Sequence, residues 1–130
     1  LVQIISPAPM VKTDLHEAYS ATRLSELRAA GKPVLVDATA AWCITCKINE
    51  RVALKPADMQ AFFRKKNLTI LVADWTNSDP AITDYLASFG RNGVPLVVYY
   101  PPSGEPVVLP QVLTKAIVKT TIEPISVTTP

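Results

Sequence analysis

The feature that most constrains the fold is a junction between a buried strand and a helix, and it carries both cysteines of the chain. Residues 33–38 form a mostly apolar run of strand length. Cys43 and Cys46, the only cysteines among 130 residues, follow in a C-x-x-C arrangement. Apolar residues then recur at every fourth position from 44 to 52, which predicts one face of a helix. The cysteine pair is therefore predicted to lie where a strand leads into the N-terminal end of a helix.

This placement favours thiol–disulfide exchange. The unpaired N–H groups and the dipole at a helix N-terminus stabilise a thiolate, which favours Cys43 as the nucleophile. Cys46, one turn further on, is predicted to attack the mixed disulfide and release the reduced partner. The single histidine, His16, leaves too few soft ligands for a structural zinc site. We therefore expect a redox-active disulfide that needs neither a metal nor an organic cofactor.

Length and composition predict one folded domain. A chain of 130 residues suits a single core, and 48% hydrophobic residues are enough to form it. The net charge of +2 is too small to indicate a nucleic-acid partner. No apolar run reaches the length of a membrane span. Prolines mark residues 1–18, which we expect to be an irregular linker, followed by a domain at 19–124 and a loose tail at 125–130.

Helical and strand patterns alternate along this domain. The first two strands are joined through helices, so they are expected to be parallel, and the last two are expected to form an antiparallel hairpin. This order predicts an α/β fold with a mixed four-stranded sheet and helices on both faces. In chain order, the predicted elements are a helix capped by Ser20 or Thr22 and ended by Gly31, a strand at 33–38, the cysteine helix, a helix near 58–66, a strand at 68–73, a helix opened by Asp79 and Pro80 and ended by Gly90, strands at 95–100 and 107–109, and a last helix capped by Thr114.

Three motifs in this order resemble the thioredoxin fold. Asp37 precedes the first cysteine by six residues, Trp42 precedes it directly, and Lys47 follows the second cysteine. Residues 93–95 (Gly-Val-Pro) open the third strand, where the thioredoxin fold has its cis-proline. One departure is the pair at 44–45, which is Ile-Thr where thioredoxin has Gly-Pro, so thioredoxin's strongly reducing potential does not carry over.

Longer stretches are similar to the C-terminal periplasmic domain of the DsbD and ScsB group of membrane thiol:disulfide interchange proteins. They lie at 41–54, 73–77, 89–95 and 106–111, within a likeness that runs from about residue 20 to residue 124. The resemblance implies a protein-disulfide reductase in the periplasm, as a domain of an inner-membrane protein. Electrons would come from the membrane-embedded domain of the same polypeptide and pass to its N-terminal domain or to other periplasmic disulfide-bearing proteins. It also implies links to cytochrome c biogenesis and copper tolerance.

The resemblance assigns roles to further residues. Asp37 would be buried behind the cysteines with a raised pKa and would accept the proton of Cys46. Pro95 would be cis and lie beside the disulfide. The backbone of Val94, next to Gly93, would pair with an extended substrate segment. Trp42 would shape the docking surface.

Two other functions fit the same residues. One is a stand-alone thioredoxin-like oxidase or isomerase, which an oxidising potential would favour. The other is a Cu(I)-binding module, because two thiolates in a C-x-x-C arrangement hold Cu(I). Metal-carrier pairs usually lie on an exposed loop, whereas this pair is predicted to begin a helix. The isolated domain is expected to be monomeric, since the sequence has no coiled-coil pattern.

Overall fold

The computed structural model describes residues 15–124. The predicted linker at residues 1–14 and the predicted tail at 125–130 lie outside this range. None of the helices within residues 15–124 is long and apolar enough to cross a lipid bilayer.

The centre of the domain is a five-stranded mixed sheet in the order β1-β3-β2-β4-β5. The strands β1, β3 and β2 run parallel, and β4 and β5 continue the sheet antiparallel. The elements in chain order are β1 (His16–Ala18), α1 (Ala21–Ala29), β2 (Val34–Thr39), α2 (Ile44–Asn49), a π-helical segment (Glu50–Leu54), α3 (Ala57–Lys65), β3 (Thr69–Asp74), α4 (Pro80–Ser88), β4 (Leu96–Tyr100), β5 (Val107–Val108) and α5 (Lys115–Ile122).

The prediction of four strands was wrong by one, because His16–Ala18 form an edge strand in the stretch expected to be irregular. Their backbone pairs with β3 in parallel, with His16 opposite Ile70. Just beyond the strand, the Tyr19 N–H donates to the Val72 carbonyl at 2.9 Å. Three residues without an alternating apolar pattern carry no strand signal of their own, so hydrogen bonds from the neighbouring strand determine this one.

Helices cover both faces of the sheet, as predicted. On one face, apolar residues of β2 and β4 pack with the π-helical segment, α3 and α5, and Phe63 and Met59 are fully buried there. On the other face, α1 and α4 pack against alternate residues of the same strands. Because successive side chains of a strand point to opposite faces, Asp37 lies on the same face as Leu35, under the cysteine helix.

The predicted helix boundaries follow from capping. The Ser20 hydroxyl accepts a hydrogen bond from the Arg23 N–H at 3.0 Å, so Ser20 rather than Thr22 is the N-cap of α1. Asp79 and Thr114 cap α4 and α5 in the same way. Gly90 follows the end of α4 with φ of +71°, a conformation that favours glycine.

The apolar row predicted on the cysteine helix exists, but it faces solvent. Ile44, Ile48 and Val52 are exposed, whereas Cys46 and Asn49 form the buried side of α2. The spacing of the row therefore identifies a helix without showing which of its faces is buried.

Candidate active site

Cys43 and Cys46 form a disulfide at the N-terminal end of α2, with their Cα atoms 5.3 Å apart. Cys43 is the N-cap residue, and its Sγ accepts a hydrogen bond from the Cys46 N–H at 3.1 Å. Cys43 is 7% exposed and Cys46 is 2% exposed. The pair thus lies in the field of the helix dipole, and Cys43 is the more accessible of the two sulfur-bearing residues.

Asp37 is a buried carboxyl in the middle of an apolar strand, on the sheet face that the cysteine helix covers. Burial raises the pKa of Asp37 to about 7, because a carboxylate loses the solvation by water there. The negative charge of Glu50 contributes to this rise in pKa, and the positive charge of Lys47 opposes it. Asp37 therefore exchanges its proton near neutral pH, as a general base requires.

Glu50 is a residue of the site that was not predicted from the sequence. The Thr39 hydroxyl donates to its Oε2 at 3.1 Å. Lys47 Nζ and Lys55 Nζ lie 3.7 Å and 3.9 Å from its Oε1. Its position four residues after Cys46, on the same side of a helix, is the only sequence signal that would have pointed to it. Glu50 and Lys47 together set the electrostatic environment of Asp37.

A cavity of about 340 Å³ opens beside the cysteine helix. Its lining includes Asp37, Glu50, Asp74 and His16. Asp37 thus borders a cavity that extends to the edge strand β1, where His16 lines it.

The loop before β4 packs against the disulfide. The Val94–Pro95 peptide bond is cis, as predicted, and Pro95 is buried. Val94 packs against the cluster formed by Ala40 and the two cysteines. At Gly93 an added Cβ would meet no heavy atom within 4 Å, so the space beside this residue is open. Of the predicted Gly-Val-Pro motif, the structure thus places Val94 in contact with the cysteine cluster.

Trp42 is exposed directly before Cys43 and is held by the loop after β3. Its Nε1–H donates to the Thr76 carbonyl at 3.0 Å, and its ring centroid lies 6.0 Å from that of Trp75. The Thr76 hydroxyl accepts from the Ala41 N–H at 2.8 Å, and the Asp74 carboxylate accepts from the Thr76 N–H at 3.0 Å. Hydrogen bonds from the loop after β3 therefore hold the two residues that precede the cysteine helix in place.

Among residues 15–124, no three or more His, Cys, Asp or Glu side chains are grouped so that they could hold a metal ion.

The fold and this site define a thioredoxin-like protein. The model of the thioredoxin-like family matches residues 15–102, and the chain belongs to that family. The chain carries a CxxC-type disulfide, Cys43–Cys46, and is similar to proteins that are named thiol:disulfide interchange proteins.

Among curated relatives, the thiol:disulfide interchange protein DsbD 1 of Pseudomonas aeruginosa is 40% identical over 82 residues, which cover 63% of this chain and 14% of that protein. The thiol:disulfide interchange protein DsbD of Vibrio cholerae is 31% identical over 94 residues, covering 72% of this chain and 15% of the relative. The predicted relation to DsbD is thus confirmed, and the chain spans only about 15% of these relatives' length.

A solved structure agrees at the level of the fold. The DsbD C-terminal domain of Neisseria meningitidis in its oxidised form superposes with a TM-score of 0.62 at 23% identity, covering 80% of this chain and 95% of that one.

Proposed function

We propose that this domain is a protein-disulfide reductase that relays electrons from a membrane-embedded domain of the same polypeptide to periplasmic disulfide partners. The observation that carries this function is the Cys43–Cys46 disulfide at a helix N-terminus, in contact with Val94 and just after the strand that holds the buried Asp37 carboxyl. The matched relatives bear the name thiol:disulfide interchange protein.

The first step is attack by the Cys43 thiolate on one sulfur of a partner disulfide. The partner's S–S bond breaks, its other sulfur leaves as a thiolate, and Cys43 becomes linked to the partner. In the second step Cys46 loses its proton and attacks the Cys43 Sγ. The mixed disulfide breaks, the partner leaves with two thiolates and two additional electrons and takes two protons from water, and the Cys43–Cys46 disulfide forms. This disulfide is the form that the structure holds.

We assign the proton transfer of the second step to Asp37. A buried carboxyl with a pKa of about 7 accepts a proton from a thiol more readily than an ordinary aspartate does. After resolution, water in the cavity beside Asp37 and Glu50 takes up this proton. A dithiol of the membrane-embedded domain then returns two electrons to the disulfide by the reverse exchange.

Substrate binding is assigned to the exposed Trp42 and to the loop at Gly93 and Val94. The space beside Gly93 is open, and Val94 packs against the cysteines, so an extended segment of the partner lying there is next to the disulfide. Periplasmic location and the links to cytochrome c biogenesis and copper tolerance stay predictions from the resemblance.

Trapping of the mixed disulfide tests the roles of the two cysteines. Reduced Cys46→Ala is expected to accumulate a mixed disulfide with an oxidised protein partner through Cys43, because the resolving thiol is gone. Cys43→Ala is the matched control and should accumulate little, because the remaining thiol is the more deeply buried one. We would measure the covalent complex on non-reducing gels with the oxidised N-terminal domain of Pseudomonas aeruginosa DsbD 1. Equal trapping by both variants would contradict the assignment.

The two alternative functions have their own tests. A reduction potential near that of a DsbA-type oxidant would indicate an oxidase. A copper titration, with the free thiols counted before and after, would reveal a Cu(I)-binding module.

A further inference from the structure

An exposed apolar strip runs along the outer face of the cysteine helix. Ile44 is 75% exposed, Ile48 is 44% exposed and Val52 is 43% exposed, and the three recur at every fourth position. Large aliphatic side chains are usually buried, and contiguous exposed ones mark interaction sites. The domain therefore presents to solvent a row of side chains whose burial would be favourable.

A fourth member of the strip comes from the loop before α5. Val112 is 64% exposed, and both of its neighbours are hydrogen-bonded to the buried side chain of Asn49 on α2. The Asn49 amide donates to the Gln111 carbonyl at 2.8 Å, and its Oδ1 accepts from the Leu113 N–H at 2.9 Å. This clamp holds Val112 beside the helix. We call Ile44, Ile48, Val52 and Val112 together the helix strip.

The helix strip is continuous with the site of disulfide exchange. Ile44 lies between the two cysteines in sequence, so a protein whose sulfur reaches the Cys43 Sγ must lie over the start of the strip. The strip follows α2 from Ile44 to Ile48, over about 6 Å at about 1.5 Å per residue, and continues to Val52 in the π-helical segment. A partner that contacts Cys43 and lies along α2 would thus bury the whole strip.

Basic side chains border the helix strip. Lys47 and Arg51 each directly precede a member of the strip, Ile48 and Val52, and both are exposed. Lys47 also lies 3.7 Å from the Glu50 carboxylate, so Arg51 contributes most of the positive charge that a partner meets. Cations at the rim of an apolar surface favour a partner that carries carboxylates at the matching positions and disfavour a basic one. The charge pattern therefore restricts which proteins fit.

We propose that the helix strip is the docking surface for the protein that exchanges a disulfide with Cys43, and that this protein presents an apolar surface bordered by carboxylates next to its own sulfur atoms. The inference rests on the proposed function and extends the partner contact from the cysteine loops along α2 to Val112. The strip then selects among protein disulfides, whereas a small disulfide reacts without touching it.

The test compares a protein disulfide with a small one. The double variant Ile48→Ser/Val52→Ser removes two exposed members of the strip, and Val112→Ser removes the clamped one. The matched control is Val107→Ser/Val108→Ser, on the edge strand β5, where the two valines are 43% and 39% exposed. Stopped-flow fluorescence would give the rate constant of each reduced variant with the oxidised N-terminal domain of Pseudomonas aeruginosa DsbD 1 and with glutathione disulfide.

We expect the Ile48/Val52 double variant to react about tenfold more slowly with the protein disulfide, as loss of central apolar contacts does in other interfaces. Val112→Ser should slow the same reaction, and the control should leave it unchanged. All variants should react with glutathione disulfide at the wild-type rate.

An unchanged rate of the Ile48/Val52 variant with the protein disulfide would overturn the inference while leaving the proposed function intact. Equal slowing by the β5 control would overturn it as well. Loss of reaction with both disulfides in the wild type would instead contradict the proposed function. Strip-dependent sedimentation with phosphatidylglycerol vesicles, without an effect on the protein reaction, would assign the strip to a lipid surface and reject the proposed partner.

Discussion

Replacement of Asp37 by Asn should change how the stability of the domain depends on pH. In the folded protein, burial raises the pKa of Asp37 from its ordinary value of 3.8 to about 7. The folded state therefore keeps this proton at pH values at which the unfolded chain has already released it. Asparagine has nearly the same shape as the protonated carboxyl and does not titrate.

The sign follows from proton linkage. Stability rises with pH where the unfolded state binds more protons, and here the folded state binds more. The contribution of protonated Asp37 is fully present below its pKa in the unfolded chain and is lost as the pH rises through the pKa of the folded state. Since the pKa values of the two states differ by about three pH units, at about 1.4 kcal/mol each, the total loss is about 4 kcal/mol.

The assay is urea unfolding of the oxidised wild type and of Asp37→Asn at several pH values from 5 to 8, followed by tryptophan fluorescence. The pKa difference of about three pH units overlaps this range by about two units. The unfolding free energy of the variant, relative to that of the wild type, should therefore rise by about 3 kcal/mol from pH 5 to pH 8. A difference between the two proteins that stays constant from pH 5 to pH 8 would refute a buried carboxyl with a raised pKa.

Asp58→Asn is the matched control. Asp58 is exposed, and its hydrogen bond with Lys115 lowers the pKa of its carboxyl. Both the folded and the unfolded chain thus release this proton below pH 5. The free-energy difference between Asp58→Asn and the wild type should accordingly show no slope over the same range.

Three further predictions concern the neighbours of the site and the core. Glu50→Gln should lower the pKa of Asp37 and Lys47→Gln should raise it, as carboxyl NMR titrations would show; shifts in the same direction would contradict the charge assignment. Asn49→Ala leaves two backbone groups of the neighbouring loop without their partner, so urea unfolding should show a loss of about 2 kcal/mol, and an unchanged midpoint would argue against the clamp. Tyr85→Phe removes the buried hydrogen bond of 2.7 Å between the hydroxyls of Tyr85 and Tyr100, so urea unfolding should show a loss of about 1 kcal/mol of unfolding free energy. A variant that is more stable than the wild type would show that this hydrogen bond is not needed for stability.

Most of the fold could be predicted because its signals are local. The caps Ser20, Asp79 and Thr114 and the strand-length runs lie within a few residues of the elements they define. The edge strand His16–Ala18 could not be predicted, because its hydrogen bonds come from β3, more than fifty residues further along the chain. The π-helical continuation of the cysteine helix left no sequence signal either.

The site divides in the same way. Cys43, Cys46 and Pro95 belong to sequence motifs, so they could be identified from their spacing and from the resemblance to a known family. The roles of Glu50 and Asn49 arise only when α2 packs on β2 and on the loop before α5, which brings together residues 11 to 64 positions apart. The exposure of the helix strip could not be predicted either, because apolar residues recur with the same spacing on a buried and on an exposed helical face.

The most direct test of electron donation is the equilibrium reduction potential of the Cys43–Cys46 pair, titrated against a glutathione or dithiothreitol redox buffer. We predict a value more negative than the about −180 mV of protein disulfide isomerase, which lets the reduced domain donate electrons to oxidised partners. A value near the about −120 mV of DsbA would contradict the relay and assign the domain to disulfide oxidation.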